Sequence, residues 1–197
     1  MKARILFLVI TFQLLVGQAG AQNDAKAFEK GSSVISVGLG IGNVWKSFLE
    51  DFTSYPDNSY KVSNNGTFSL IYEYGFSKRI SAGIALGYYE VEGKFNGAGT
   101  GFTFSETLTN FSILARANYH IGKSKKFDPY VGGGIGYFHF KYNNDRPEII
   151  NSKSPGAFGY SAQLGARYYF VPNFGVFAEV GYVGGSLFQL GATYKFK

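Results

Sequence analysis

Residues 187–196 read Leu-Phe-Gln-Leu-Gly-Ala-Thr-Tyr-Lys-Phe. In an extended strand, successive side chains point to opposite faces. One face of this stretch would carry Phe188, Leu190, Ala192, Tyr194 and Phe196. The other would carry Leu187, Gln189, Gly191, Thr193 and Lys195. One face is apolar and the other is mostly small or polar, an alternation that a soluble sheet would also show. Because the pattern runs to the chain end and finishes on two alternate aromatics, we interpret the stretch as the closing strand of a membrane-spanning barrel.

The same alternation appears in seven earlier stretches, near residues 34–42, 67–76, 80–91, 108–121, 129–142, 157–170 and 174–182. Aromatic and aliphatic residues occupy one face of each, while glycine, serine and the charged residues share the other. A soluble barrel of the lipocalin type has the opposite arrangement, with its apolar face inside. The sequence therefore predicts an all-β fold, an eight-stranded antiparallel up-and-down transmembrane β-barrel.

The predicted connections alternate in length along the chain. They are long at residues 43–66, 93–105 and 143–156 and short after the second, fourth and sixth strands, and the last turn is Gly184-Gly185. Outer-membrane barrels have short periplasmic turns and longer extracellular loops. We therefore expect both chain ends on the periplasmic side.

The N-terminus has the pattern of an export signal. Lys2 and Arg4 precede an apolar run over 5–16, and Ala19-Gly20-Ala21 provides small residues for cleavage. We predict a signal peptide over 1–21, a flexible lead-in over 22–32 and the barrel over 33–197. No later stretch approaches the 18 or more apolar residues that a transmembrane helix needs.

The composition excludes several classes of function. Aromatic residues make up 18% of the chain and charged residues only 16%, and cysteine is absent. Disulfides and thiolate chemistry are therefore excluded. The formal charge of +6 includes no dense basic stripe, so nucleic acid is not an expected partner. Two histidines far apart do not form a metal site, and neither a metal nor any other cofactor is expected.

Five charged side chains fall on the predicted inner face of the barrel. They are Glu73, Arg116, Arg167, Glu179 and Lys195. Buried charges persist when they are paired, so we expect each glutamate to contact an arginine or lysine, with Lys195 placed beside Glu73 or Glu179. An eight-stranded barrel is filled by its own side chains, which favours a structural network over an ion path.

The first long connection is the candidate binding site. It is rich in aromatic residues, namely Trp45, Phe48, Phe52, Tyr55 and Tyr60. Loops on a rigid scaffold commonly carry function, so we expect any extracellular ligand to bind there. Contact of these rings with lipid headgroups is the alternative interpretation.

The chain resembles the OmpA/OmpX-like small outer-membrane barrels, the family of outer membrane protein beta-barrel domains. The resemblance rests on the C-terminal assembly signal, formed here by Gln189, Gly191, Tyr194 and Phe196, and on the Asp-Pro-Tyr-Val-Gly-Gly-Gly-Ile-Gly run at 128–136. Lys197 departs from the family pattern, in which the terminal aromatic often ends the chain. The resemblance implies a Gram-negative outer-membrane location, a monomer, and contacts with outer-membrane lipids, periplasmic chaperones and the barrel-assembly machinery.

The resemblance also raises two alternatives to a structural or surface-interaction role without catalysis. One is a lipid A-modifying acyl enzyme, because barrels of this fold with that activity pair a histidine with a serine. His120 falls near the periplasmic end, whereas His139 falls near the outer end, with Ser152 and Ser154 in the next loop. His139 is thus the better candidate, although an interfacial side chain is the favoured interpretation. The other alternative is a narrow pore.

Overall fold

The computed structural model describes residues 26–44, 46–47, 60–96, 103–145 and 156–196. Within them the chain forms eight strands. Their bounds are β1 Ser33–Asn43, β2 Tyr60–Gly75, β3 Ile80–Asn96, β4 Thr103–His120, β5 Phe127–Asn144, β6 Gly156–Val171, β7 Phe174–Val183 and β8 Ser186–Phe196. The predicted signal peptide at 1–21 lies outside the described residues.

The strands form one closed barrel in chain order, and each pairs antiparallel with its neighbours. β1 and β8 close it, with Ser33 opposite Phe196 at one end and Asn43 opposite Ser186 at the other. Closure leaves no unpaired sheet edge, which is the requirement for strands that cross a bilayer. The prediction of an eight-stranded antiparallel barrel is confirmed.

The barrel is apolar outside and polar inside. Exposed aromatic and aliphatic side chains cover the outer face of every strand, for example Ile84, Phe111 and Leu164, while Glu73, Arg116 and Gln163 are buried inside. Leu187 departs from its predicted face, because it is 51% exposed rather than inside. The β7–β8 ladder shifts register between Val180 and Val183, opposite Leu187, so the regular alternation of faces is interrupted at this position.

Strands β2 to β5 are longer than the sequence predicts. β2 begins at Tyr60 rather than 67, and the β3–β4 ladder continues to Asn96 opposite Thr103. Parts of the predicted loops at 43–66, 93–105 and 143–156 are therefore strand. These segments rise past the apolar belt, where the outer face is polar, so the alternation weakens while the backbone ladder continues. We call this four-stranded part the extracellular extension, residues 60–66, 90–96, 103–109 and 140–144.

The segment 26–32 closes the periplasmic end of the barrel. Ala27 and Phe28 are buried there, and the Gly31 amide donates to the carbonyl of Gly75 at 2.8 Å. The phenyl ring of Phe28 stacks on the imidazole of His120, with the ring centroids 3.4 Å apart. The prediction of a flexible lead-in is wrong for residues 26–32. The Phe28 ring inserts into the mouth of the barrel, where it is buried, and this packing orders the segment.

The interior has two layers. The buried charged side chains lie in the periplasmic half, whereas the half towards the extracellular side holds an apolar cluster among uncharged polar side chains such as Thr67, Asn110 and Gln189. The apolar layer contains Ile71, Ala85, Tyr89, Val91, Leu114, Phe138, Phe140 and Phe177. In the described residues, no helix has the length and apolarity to cross a membrane.

Candidate functional site

Glu73 lies at the centre of the charged layer. Its carboxylate accepts a hydrogen bond from Arg167 Nη2 at 2.6 Å and one from Asn118 Nδ2 at 2.7 Å. Arg116 Nε lies 3.5 Å from the same carboxylate. Both Glu73 and Arg167 are 1% exposed, so this charge is taken out of water and compensated inside the barrel.

Glu179 forms the second pair of the layer. Arg116 Nη2 lies 2.5 Å from Glu179 Oε1, and the hydroxyl of Tyr130 donates to the same oxygen at 2.8 Å. Arg116 therefore bridges the two glutamates. Strands β2, β4, β5, β6 and β7 all contribute to this network, which cross-links the barrel wall from the inside.

The structure adds two residues to the predicted charge network. Asp128 and His120 are buried, and His120 Nδ1 lies 2.7 Å from Asp128 Oδ1. Arg167 Nη1 also reaches Asp128 Oδ2 at 3.3 Å. Asp128 immediately precedes the predicted strand stretch 129–142, but it has the same parity as Tyr130 and follows the inward alternation of β5. That parity is the signal that would have identified it.

Lys195 is placed differently from its predicted position. Its Nζ donates to the carbonyl of Lys26 at 2.6 Å and lies 5.2 Å from the centroid of the Tyr169 ring. The prediction that it contacts Glu73 or Glu179 is wrong. Lys195 is close to the periplasmic end of β8, and there the segment 26–32 supplies the acceptor.

A chain of contacts like that of a serine–histidine–aspartate catalytic triad links Ser81, His120 and Asp128. Ser81 Oγ lies 3.0 Å from His120 Nε2, and His120 Nδ1 contacts Asp128. Acyl transfer also requires a substrate at the serine and donors for an oxyanion. Here all three side chains are at most 1% exposed, and Phe28 covers the imidazole. Ser81 also donates to Glu73 at 3.3 Å, so the group is part of the packed network.

The other histidine lies on the outside of the barrel. His139 is exposed on β5 between the buried Phe138 and Phe140. Ser152 and Ser154, its proposed partners, lie outside the described residues. The described residues contain no group of three or more His, Cys, Asp or Glu side chains arranged to hold a metal ion.

A second cluster lies on the inward face of the extracellular extension. Glu106 on β4 accepts hydrogen bonds from the hydroxyls of Tyr60 and Tyr142, the latter at 2.5 Å. Phe95 and Phe104 stack beside them with centroids 5.1 Å apart. The β2 ladder shifts between Asn64 and Thr67, and this bulge turns Tyr60 inward.

Of the aromatic loop residues predicted to bind a ligand, Tyr60 alone belongs to the described part of the chain, and it is a strand residue. Trp45, Phe48, Phe52 and Tyr55 lie outside it. Glu106 and Tyr142 were not among the predicted site residues. Their approach to Tyr60 depends on the pairing of β2 with β3, β3 with β4 and β4 with β5, which no local pattern reveals.

The residues of the predicted assembly signal have separate places in β8. Gln189 is buried, accepts a hydrogen bond from Ser69 Oγ at 3.1 Å and donates to the carbonyl of Val183 at 3.2 Å. Gly191 lies opposite Gly38 across the closing seam. The Tyr194 and Phe196 rings meet edge to face at 4.9 Å near the periplasmic end.

Comparison with known proteins agrees with this architecture. The family model described as outer membrane protein beta-barrel domain matches residues 11–196. No curated protein sequence matches the chain.

Among solved structures, the outer membrane protein OprG from Pseudomonas aeruginosa is 13% identical, with a TM-score of 0.53, over 88% of this chain and 99% of that one. Ail, the attachment invasion locus protein of Yersinia pestis, is 19% identical, with a TM-score of 0.48, over 85% and 99%. The N-terminal beta-barrel domain of Pseudomonas aeruginosa OprF is 18% identical, with a TM-score of 0.44, over 86% and 100%.

Proposed function

Because the chain belongs to the family of outer membrane protein beta-barrel domains, we propose that it is a sealed, non-catalytic scaffold that presents a ligand-binding surface outside the cell. The protein is located in the bacterial outer membrane. The surface is the inward face of the extracellular extension, together with the aromatic connection between β1 and β2.

The observation that carries this proposal is the cluster of Tyr60, Glu106 and Tyr142. A carboxylate held between two phenol hydroxyls, beside the stacked rings of Phe95 and Phe104, combines flat apolar faces with hydrogen-bonding groups. Such a combination suits the apolar faces and hydroxyl groups of a sugar ring, because binding sites join apolar surface with a few placed polar groups. The ladder of β2 to β5 holds the cluster rigidly above the apolar belt.

The interior supports the sealed and non-catalytic parts of the proposal. Tyr89, Leu114 and Phe138 fill the apolar layer, and a hydrated ion would have to displace them. The charged layer beneath is occupied by its own ion pairs. A narrow pore predicts steady conductance in planar bilayers, whereas the sealed barrel predicts none. A lipid A-modifying enzyme predicts acyl release or transfer from lipid A that His139→Ala abolishes.

The binding test uses the full mature chain in lipid nanodiscs on an array of immobilised glycans. We expect at least one class of glycan to be retained by the wild-type protein. The double variant Tyr60→Phe/Tyr142→Phe keeps the rings but removes both donors to Glu106. Its retention should fall about 10-fold, because the variant also loses the two hydroxyls that would contact the sugar, and each hydrogen bond contributes about 0.5–1.5 kcal/mol.

The matched control is Asn143→Ala, which changes the residue beside Tyr142 on the opposite face of β5. Heat-modifiable gel mobility establishes that each variant is folded. If no glycan is retained by the wild-type protein, the sugar assignment is wrong. If both variants bind as the wild type does, the cluster is not the binding surface.

A further inference from the structure

A cleft of about 500 Å³ opens at the periplasmic rim of the barrel. Three segments form it: the residues before β1, the β2–β3 turn and the β4–β5 connection. The described residues that line it are Lys26, Phe28, Glu29, Lys30, Lys78, Arg79, Gly122 and Lys123. Its volume is within the roughly 300–1,000 Å³ range of small-molecule sites.

Backbone hydrogen bonds hold the three segments in place. The Ala27 amide donates to the carbonyl of Ser124 at 2.9 Å, which ties the N-terminal segment to the β4–β5 connection. The His120 amide donates to the carbonyl of Arg79 at 2.7 Å, which fixes the β2–β3 turn against β4. The walls of the cleft are therefore set by the fold before any ligand binds.

The charge of the cleft is one-sided. Its described lining includes five basic side chains and one acidic side chain, Glu29. Phe28, the apolar wall, is anchored by its stacking on His120. Like charges brought together around a cleft repel one another, and an anion in the cleft relieves that repulsion.

The surface around the cleft indicates where the anion comes from. Phe76, Ile80 and Ile121 flank it and are exposed on the outer, lipid-facing side. Arg79 Nη1 donates to the hydroxyl of Tyr119 at 2.7 Å, and its guanidinium lies 5.9 Å from the centre of that ring. Outward tyrosines near strand ends mark the aromatic girdle at the membrane interface, which is the depth of lipid headgroups.

We propose that this cleft binds the phosphate of an anionic phospholipid from the periplasmic leaflet. The acyl chains lie on Phe76, Ile80 and Ile121, and the phosphate lies among Lys78, Arg79 and Lys123. This site is on the opposite side of the membrane from the glycan surface proposed above and does not depend on it.

The test titrates the full mature chain in zwitterionic micelles with short-chain phosphatidylglycerol, short-chain phosphatidylcholine and inorganic phosphate. Amide NMR shifts of residues 78–79 and 122–123 report occupancy. We expect saturable shifts with phosphatidylglycerol and much weaker binding of the other two. The triple variant Lys30→Gln/Lys78→Gln/Lys123→Gln should bind phosphatidylglycerol roughly 100-fold more weakly. Each lysine near an anionic lipid surface increases the affinity about five-fold.

The matched control is Lys61→Gln/Lys94→Gln/Lys141→Gln, which removes the same charge from exposed positions on the extracellular side. It should bind as the wild type does, and gel mobility verifies folding of both variants. An equal loss of phosphatidylglycerol binding in the two variants would show a general effect of charge and would refute the proposed site. Equal binding of phosphatidylcholine, or of inorganic phosphate, would overturn recognition of an anionic lipid.

Discussion

Arg116→Met tests whether the buried charges act as a linked network. Arg116 bridges Glu179 at 2.5 Å and Glu73 at 3.5 Å. Without it, Glu179 retains only the Tyr130 hydroxyl among the hydrogen-bond partners that the described residues provide. Removing one member of a buried pair costs about 3–5 kcal/mol, because the other charge is left uncompensated. We expect the free energy of unfolding to fall by that amount.

The double variant Arg116→Met/Glu179→Gln separates an uncompensated charge from lost packing. It removes both charges, and the amide oxygen that replaces the carboxylate of Glu179 would still accept a hydrogen bond from Tyr130. Contacting residues have interaction energies of about 0.5–3 kcal/mol. We therefore expect the double variant to regain about 2 kcal/mol of the loss caused by Arg116→Met alone.

The assay is urea unfolding in lipid vesicles, with folded and unfolded fractions separated by gel mobility. Arg79→Met is the control, because its guanidinium is exposed at the rim and an exposed polar contact contributes at most about 1 kcal/mol. If Arg116→Met costs no more than Arg79→Met, the network does not stabilise the barrel. If the double variant is no more stable than Arg116→Met, loss of packing rather than charge explains the effect.

Two further predictions concern the closing seam and the periplasmic end. Gly191→Ala should destabilise the barrel by about 1–3 kcal/mol, because the added methyl would meet the Val37 carbonyl and would lie 2.8 Å from the Phe177 ring. Urea unfolding in lipid vesicles measures this loss of stability. The control variant Ala192→Val, on the outer face, should have little effect. Phe28→Ala should open the segment 26–32 without opening the barrel, because local units unfold below the global free energy. Hydrogen exchange at the Ala27 and Gly31 amides should then accelerate while Ser36 stays protected, and unchanged protection of the first two would contradict the packing role of Phe28.

The barrel could be predicted from the sequence because the alternation of side chains along each strand is a local pattern. Alternation has a period of two residues, so each strand reports its own lipid-facing side, as Phe158, Tyr160 and Leu164 do on β6. Eight such stretches with alternating connection lengths specify an antiparallel closed sheet. The same parity correctly placed Glu73, Arg116, Arg167 and Glu179 inside.

The extent of the strands was harder to predict. Residues 63–65 read Ser-Asn-Asn, which is typical of a turn, yet they belong to β2. Beyond the lipid belt, the outer face of a strand no longer needs apolar residues, so a projecting strand and a loop have similar compositions. The cross-strand ladder from Tyr60 opposite Phe95 to Asn64 opposite Val91 decides the matter.

By itself, the sequence determined the fold, the apolar exterior and the inward face of the regular part of each strand, since each follows from neighbours along one strand. The faces of Leu187 and Tyr60, which lie beside irregularities of the ladder, did not follow from it. Only the tertiary structure decided which inward groups meet. Arg167 and Glu73 are 94 residues apart, and Arg116 and Glu179 are 63 apart. Their contact depends on the stagger of the strands around the barrel, which is a property of the closed sheet. That stagger joined Asp128 to His120 and brought Tyr60 and Tyr142 to Glu106, while the packing of the segment 26–32 placed the Lys26 carbonyl beside Lys195.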